Sequence, residues 1–382
     1  MKRFFIILIF TAFLVSPVFP QEKKLFTLNG YLTTMPSIMF DSLSGPFSNN
    51  ILIHNRLNYK FYPGEHLTFA IELRNRIIKG DMVKDNEEYS DMIGNDPGVA
   101  DLSWNIFMEP SFLLNTSVDR FWVDYNRGKF EIRIGRQRIN WGQTFVWNPN
   151  DIFNAYSFFD FDYIERPGSD AIRLQYYPKS SSTIDIAIKA DSEHDITAGA
   201  LYRFNRWGYD IQFLTGYVSS KDFVAGTGWS GSVGSISFRG EASWFQPVKG
   251  FKDTTGRGLF TFGLDKVFKD NSMAQVQIMY CNNPPGMNDF NSFYSGNLSA
   301  KDLAFSRFTA FGQFTWAATR LFNLGISAMW FPDLKGYFAG PSLEYSLAES
   351  IDFSVFWQHF DSRISGEKMR INMGFLRFKY SF

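Results

Sequence analysis

From Phe26 to the last residue the chain reads as one short segment after another in which apolar and polar residues alternate, with turn-forming residues between them. Successive side chains of a β-strand point to opposite faces, so a period of two marks a strand with two unlike faces. In the final segment Leu376, Phe378, Tyr380 and Phe382 share one face, and Arg377, Lys379 and Ser381 share the other. In the same way Phe130, Ile132 and Ile134 alternate with Glu131 and Arg133, and Ile172 and Leu174 with Arg173 and Gln175. About 18 strands can be drawn on this pattern, with 16 the other count its boundaries permit. They begin near 26–34, 51–61, 66–77 and 119–127 and end near 350–360 and 369–382. Most are roughly 8 to 14 residues long, the length a tilted strand needs to cross a bilayer.

The connections carry more than the strands do. Alternate ones are short, as at Pro63-Gly64, Arg127-Gly128 and Asn205–Gly208. The others include every long loop: 35–50, 78–118, 138–169, 246–258, 282–303 and 361–368. Short turns at one end and long loops at the other is the asymmetry of outer-membrane barrels, and both termini at the short-turn end require an even strand number. The predicted fold class is all-β, a transmembrane antiparallel β-barrel.

Composition moves this alternation away from a soluble sandwich. Phe, Trp and Tyr make up 18% of the chain, with 43 Phe, yet the mean hydropathy is only −0.17. An apolar lipid face with interfacial aromatic girdles, wrapped around a wet interior, fits both figures. Residues 1–20 read as a signal peptide, with Lys2 and Arg3 ahead of an apolar run to Val15 that is short for a membrane helix. Residues 21–382 then form a single barrel, with no room ahead of the first strand for a plug domain. The expected location is the outer membrane of a Gram-negative bacterium, with its lipid and lipopolysaccharide around the barrel. The alternating Phe378, Tyr380 and terminal Phe382 resemble the signal by which barrel-assembly machinery recognises its clients. A formal net charge of zero gives no footing for nucleic acid, and the single cysteine, Cys281, excludes an internal disulfide.

At this strand number side chains cannot fill the lumen. A Lys or Arg facing lipid at mid-bilayer would cost about 2–4 kcal/mol, so the charged face of each strand must point inward. The expected pore-lining residues are Arg56, Lys60, Glu72, Arg74, Glu131, Arg133, Arg173, Gln175, Asp185 and Lys189. Each of them can serve to pair across strands or to touch a solute.

The stretch 138–169 holds more aromatic residues than a loop in water would keep, so it is expected to fold inward as a constriction. Its candidate residues are Arg136, Arg138, Trp141, Trp147, Asp151, Asp162, Glu165 and Arg166. Strict alternation sets Arg136 and Arg138 on the lipid side of their strand. Either they lie beyond the membrane, or a bulge at Gly135 turns Arg136 inward, and the bulge is the preferred expectation. Gly135-Arg136-Gln137, Trp141-Gly142, Asn148-Pro149-Asn150-Asp151 and Arg166-Pro167-Gly168 together resemble a group of porin-like barrels similar to alginate-export barrels. That resemblance, sharp over roughly 35 residues, implies an 18-stranded barrel, monomeric or nearly so, with a charged constriction.

The function expected is passive diffusion of small hydrophilic solutes, with no cofactor. The second reading, implied by the resemblance alone, is an export conduit for a polysaccharide. A barrel enzyme would need a nucleophile or an acid–base set at the rim. The four histidines, His54, His66, His194 and His359, offer no pair at metal-ligand spacing, and His194 and His359 lie beside external turns. The acidic 78–118 loop lacks the spacing of a calcium loop, and no metal is expected.

Overall fold

The computed structural model describes residues 24–159, 165–285, 298–364 and 366–382, with Glu87 described by its backbone alone. The signal segment 1–20 and Asp162 lie outside the described residues. In chain order the strands are β1 Phe26–Phe40, β2 Ser48–Phe61, β3 Leu67–Gly80, β4 Ser103–Glu109, β5 Phe112–Arg127, β6 Phe130–Gln137, β7 Ser169–Lys179, β8 Ser182–Ala190, β9 Ile196–Arg206, β10 Tyr209–Val218, β11 Asp222–Val233, β12 Ile236–Pro247, β13 Arg257–Val267, β14 Met273–Cys281, β15 Phe308–Ala317, β16 Phe322–Phe331, β17 Gly336–Ala348, β18 Ile351–Ile364 and β19 Glu367–Ser381. All belong to one antiparallel sheet of 19 strands. β19 returns to β1, with partners from Tyr31↔Ser381 to Phe40↔Asn372, so the sheet closes on itself. β3 pairs directly with β5, which leaves β4 outside the ring and 18 strands in the barrel. Closure removes the free strand edges that lipid cannot satisfy.

The two faces are as unlike as the alternation requires. On β6 the exposed side chains are Phe130, Ile132 and Ile134, while Arg133 turns the other way onto Asp124 of β5. Aromatic residues mark both ends of the outer face, among them Trp244, Phe308 and Trp330 by the long loops and Tyr125, Tyr345 and Tyr380 by the short turns.

Three departures from the alternation have physical causes. β5 begins at Phe112 and not near 119, because its register against β3 jumps from Glu72↔Arg120 to Leu73↔Val118. The bulge at Asp119 flips the phase of every residue above it and hides the upper half of the strand from a period-two reading. The 78–118 loop holds two short helices, α1 (Asp81–Asp85) and α2 (Glu87–Gly94), as well as β4. β4 takes the edge of β5 that β6 leaves free, since β6 reaches only Phe121 while β4 meets Asn115. Finally, β1 runs through Pro36 to Phe40, and β18 and β19 extend to Ile364 and Glu367, so 35–50 and 361–368 shrink to shorter connections.

The main apolar core lies where a barrel ordinarily holds water. Trp141, Trp147, Ile152 and Phe153 of the β6–β7 connection pack with inward side chains such as Leu214, Phe245 and Phe338.

Candidate functional site

All ten expected pore-lining residues sit on the inward face, opposite the exposed apolar stripe, and nearly all are engaged. Arg56 is fully buried and pairs with Glu72 of β3 at 2.5 Å and with Asp119 of β5. Arg74 donates its Nε to His54 Nε2 at 3.2 Å. Arg133 reaches Asp124 at 2.9 Å and Glu131 at 3.0 Å, and lies over the Trp122 ring, which Lys60 also approaches. Arg173 forks onto Asp185 at 2.5 Å, and Gln175 stands 3.5 Å from the same carboxylate. Lys189 donates to the Phe153 carbonyl at 2.7 Å. The charges of the short-turn half are thus largely matched in pairs, while Arg133, Glu131 and Arg239 keep part of their surface open to the lumen.

The connection after β6 is seated on this wall by its backbone. Glu241 of β12 is buried, and its carboxylate accepts the amides of Gln143, of Thr144 at 2.9 Å and of Asn150 at 2.9 Å. Two strands further on, Gln277 of β14 accepts the Val146 amide at 2.9 Å and donates to the Trp147 carbonyl at 3.2 Å. Gln212 of β10 donates to the Trp141 carbonyl at 2.7 Å, and the Trp141 indole N–H donates to Asp185 at 3.0 Å. A loop without regular structure leaves its backbone groups unpaired, and each needs a partner when buried. Here the wall supplies those partners through side chains, which ties the loop to strands spread over half the ring.

Aromatic contacts extend the seat. Phe159 packs on Phe338 of β17 and Phe360 of β18, and Trp147 meets Phe311 of β15 edge-on at 6.4 Å. Further round the ring Glu165 accepts the Tyr31 hydroxyl of β1 at 3.0 Å and stands 3.9 Å from the Arg56 guanidinium. Arg120, turned inward by the bulge, donates to the carbonyls of Glu165 and Arg166. Arg166 stacks on the Tyr156 ring at 3.8 Å, and Arg138 approaches the same ring while donating to the Glu165 carbonyl.

Asp151 is fully buried, and the amides of Trp141 and Asn154 face it without closing a hydrogen bond. Burial pushes its carboxyl up to about 6, against the opposing pull of Arg138. Tyr156 is likewise raised by burial.

Arg136 corrects the expectation of a bulge. The β5–β6 register runs unbroken from Arg127↔Phe130 to Phe121↔Arg136, so Gly135 adopts a positive φ of 115° without inserting a residue. Arg136 stays on the face of Ile134 and is no part of the constriction. It pairs with Asp170 at 2.7 Å and Asp96 at 2.5 Å, beneath the segment Asp96–Ala100. Gly98 sits so close to this pair that a Cβ there would fall 2.0 Å from an Arg136 nitrogen. Three residues that matter to the seat, Glu241, Gln277 and Gln212, escaped the sequence reading. Their signal was a polar side chain at an inward position between apolar ones, as in Glu241 between Ala242 and Gly240 on β12, which has no distinctive spacing.

His359 meets Asn372 at 2.7 Å while Asp361 holds Arg370. Among the described residues no group of His, Cys, Asp and Glu is arranged to hold a metal.

No family model and no curated protein matches the sequence. The fold does have relatives among solved structures. OccAB2 of Acinetobacter baumannii superposes with a TM-score of 0.60 at 9% identity, over 93% of this chain and 98% of that one. OccAB1 of the same organism gives 0.59 at 8% identity, over 95% and 99%. OccK5 (OpdH) of Pseudomonas aeruginosa gives 0.58 at 7% identity, over 93% and 98%. The fold shared with them is a closed antiparallel β-barrel, 18-stranded in this chain. At these identities the likeness is one of architecture, and it extends along almost the whole of each chain.

Proposed function

We propose that this porin-fold protein is a diffusion channel for small hydrophilic solutes in the outer membrane of a Gram-negative bacterium. The observation that carries the reading is the division of its lumen. Residues 139–159 of the loop pack on the apolar wall of β8–β18, while on the wall of β5 and β6 the charged Arg133 and Glu131 keep partial exposure. A solute passing this barrel moves along the charged wall and past the loop edge at Glu165, where Tyr31 and Arg56 face it. Matched charges make that wall polar without a strong net field, which suits hydrophilic solutes of either sign.

The loop's ties to both sides of the ring favour small solutes over a polymer. A polysaccharide conduit, the reading that the resemblance to alginate-export barrels suggested, needs a lumen that a chain can thread. Liposome swelling with neutral sugars of increasing size tests the choice. Entry of mono- and disaccharides with a sharp cut-off supports the narrow channel, and entry of long oligosaccharides at comparable rates supports the conduit.

A further inference from the structure

The lipid-facing surface is apolar at mid-strand around most of the ring. From β6 to β19 the polar interruptions among the described mid-strand outward positions are Thr215 and Thr227, whose hydroxyls donate to the Val224 and Gln212 carbonyls and leave no donor free, and His359 and Asn372, which bond to each other at 2.7 Å. The wall of β2, β3 and β5 differs. Asn55 lies between Ile53 and Leu57 on the outward stripe of β2, and Asn75 lies between Leu73 and Ile77 on that of β3. The register sets Asn55 opposite Asn75 and Asn75 opposite Thr116 of β5. A ladder of hydrogen bonds joins them: Thr116 Oγ1 donates to Asn75 Oδ1 at 2.9 Å, Asn75 Nδ2 to Asn55 Oδ1 at 3.2 Å, and Asn55 Nδ2 to the Tyr31 carbonyl at 3.2 Å.

Each carboxamide carries two N–H donors and a carbonyl with two lone pairs. The ladder uses one donor and one lone pair of each, so one N–H and one lone pair on both Asn55 and Asn75 take no part in it. Hydrocarbon offers them nothing, and unsatisfied polar groups in lipid are costly enough to be excluded from barrel exteriors. We propose that this wall is the interface with a second copy of the same chain, the two carboxamide pairs bonding across a two-fold axis normal to the membrane. That the partner is a second copy follows from the chemistry and the geometry. The unused groups are donors and acceptors in equal number, so the surface complements itself, as an isologous contact demands. Two copies inserted the same way up meet residue to residue at one depth, and the ladder runs across neighbouring strands in one register row. Carboxamides at such positions act as membrane glue because their alternative partner is lipid.

The test uses the full-length protein in native outer membrane. Leu57→Cys, beside Asn55 on the same stripe, and Val276→Cys, on the exposed face of β14, are each oxidised with copper phenanthroline in a Cys281→Ser background. A dimer cross-linked through position 57 at tenfold or more the yield at 276 is expected. The Asn55→Leu/Asn75→Leu variant should run at monomer mass in mild detergent and still shift mobility on heating, which shows that the barrel itself is intact. Equal cross-linking at both positions, a wild-type monomer by mass, or a dimer that survives the double substitution overturns the proposal. A monomer made more heat-resistant by the two leucines would show that lipid covers this face.

Discussion

The Glu241 carboxylate of β12 accepts the Asn150 amide at 2.9 Å, across 91 residues of chain, and accepts the amides of Gln143 and Thr144 with its other oxygen. One buried side chain thereby satisfies three backbone groups of a loop that has no ladder of its own. Removing it leaves those amides without partners, a loss of about 3 kcal/mol. That loss raises the unseated fraction of the loop about a hundredfold. Glu241→Leu is expected to give larger single-channel currents with bursts of noise, and Glu241→Gln an intermediate trace. Quiet, wild-type currents from Glu241→Leu would show that the loop is held elsewhere.

Asp151 makes the seat sensitive to pH. Its carboxyl is raised by burial from 3.8 to about 6, so the folded loop prefers the neutral acid. The stabilisation is complete below pH 4 and is lost as pH rises through 6, by about 3 kcal/mol in all. Current noise should therefore increase between pH 4 and 7, and Asp151→Asn should flatten that rise. An unchanged slope in Asp151→Asn would assign the dependence to other groups.

Arg173 and Asp185 form a close pair in which Asp185 also accepts the Trp141 indole. Arg173→Met strands a buried carboxylate, and breaking such a pair costs about 3–5 kcal/mol. The midpoint of heat modification should fall in Arg173→Met and recover in part in Arg173→Met/Asp185→Leu, since the second change removes the stranded charge. A double variant weaker than the single would contradict this.

Phe159 fills a pocket between Phe338 and Phe360 on the far side of the lumen. Phe159→Ala should release that end of the loop at a cost of about 3–5 kcal/mol. Trypsin or chymotrypsin added to the long-loop side then cuts the 138–169 stretch faster than in the parent protein. Equal cutting rates would mean that the backbone ties at Glu241 suffice.

Much of the barrel was legible because lipid outside and water inside impose opposite demands on alternate residues, as on Phe130–Gln137. The alternation failed where geometry broke its phase. The bulge at Asp119 hid the upper half of β5, and β4 could not be seen without knowing that β6 ends early. The inward loop was legible from its aromatic content. Its anchors were not, because Glu241 and Gln277 are single inward polar residues whose partners are backbone amides of a distant segment, and backbone groups leave no mark in a sequence. Arg136 was misread for a related reason. Its partner Asp96 comes from a loop whose course over the rim no local pattern encodes.

Single-channel conductance in a planar bilayer, measured for the intact protein and for a variant with residues 140–166 replaced by a short Gly/Ser linker, tests the central claim most directly. A steady current that grows several-fold in the variant is the predicted result, since the loop then no longer occupies the lumen. No current in either form, or equal currents in both, would contradict a diffusion channel narrowed by this loop.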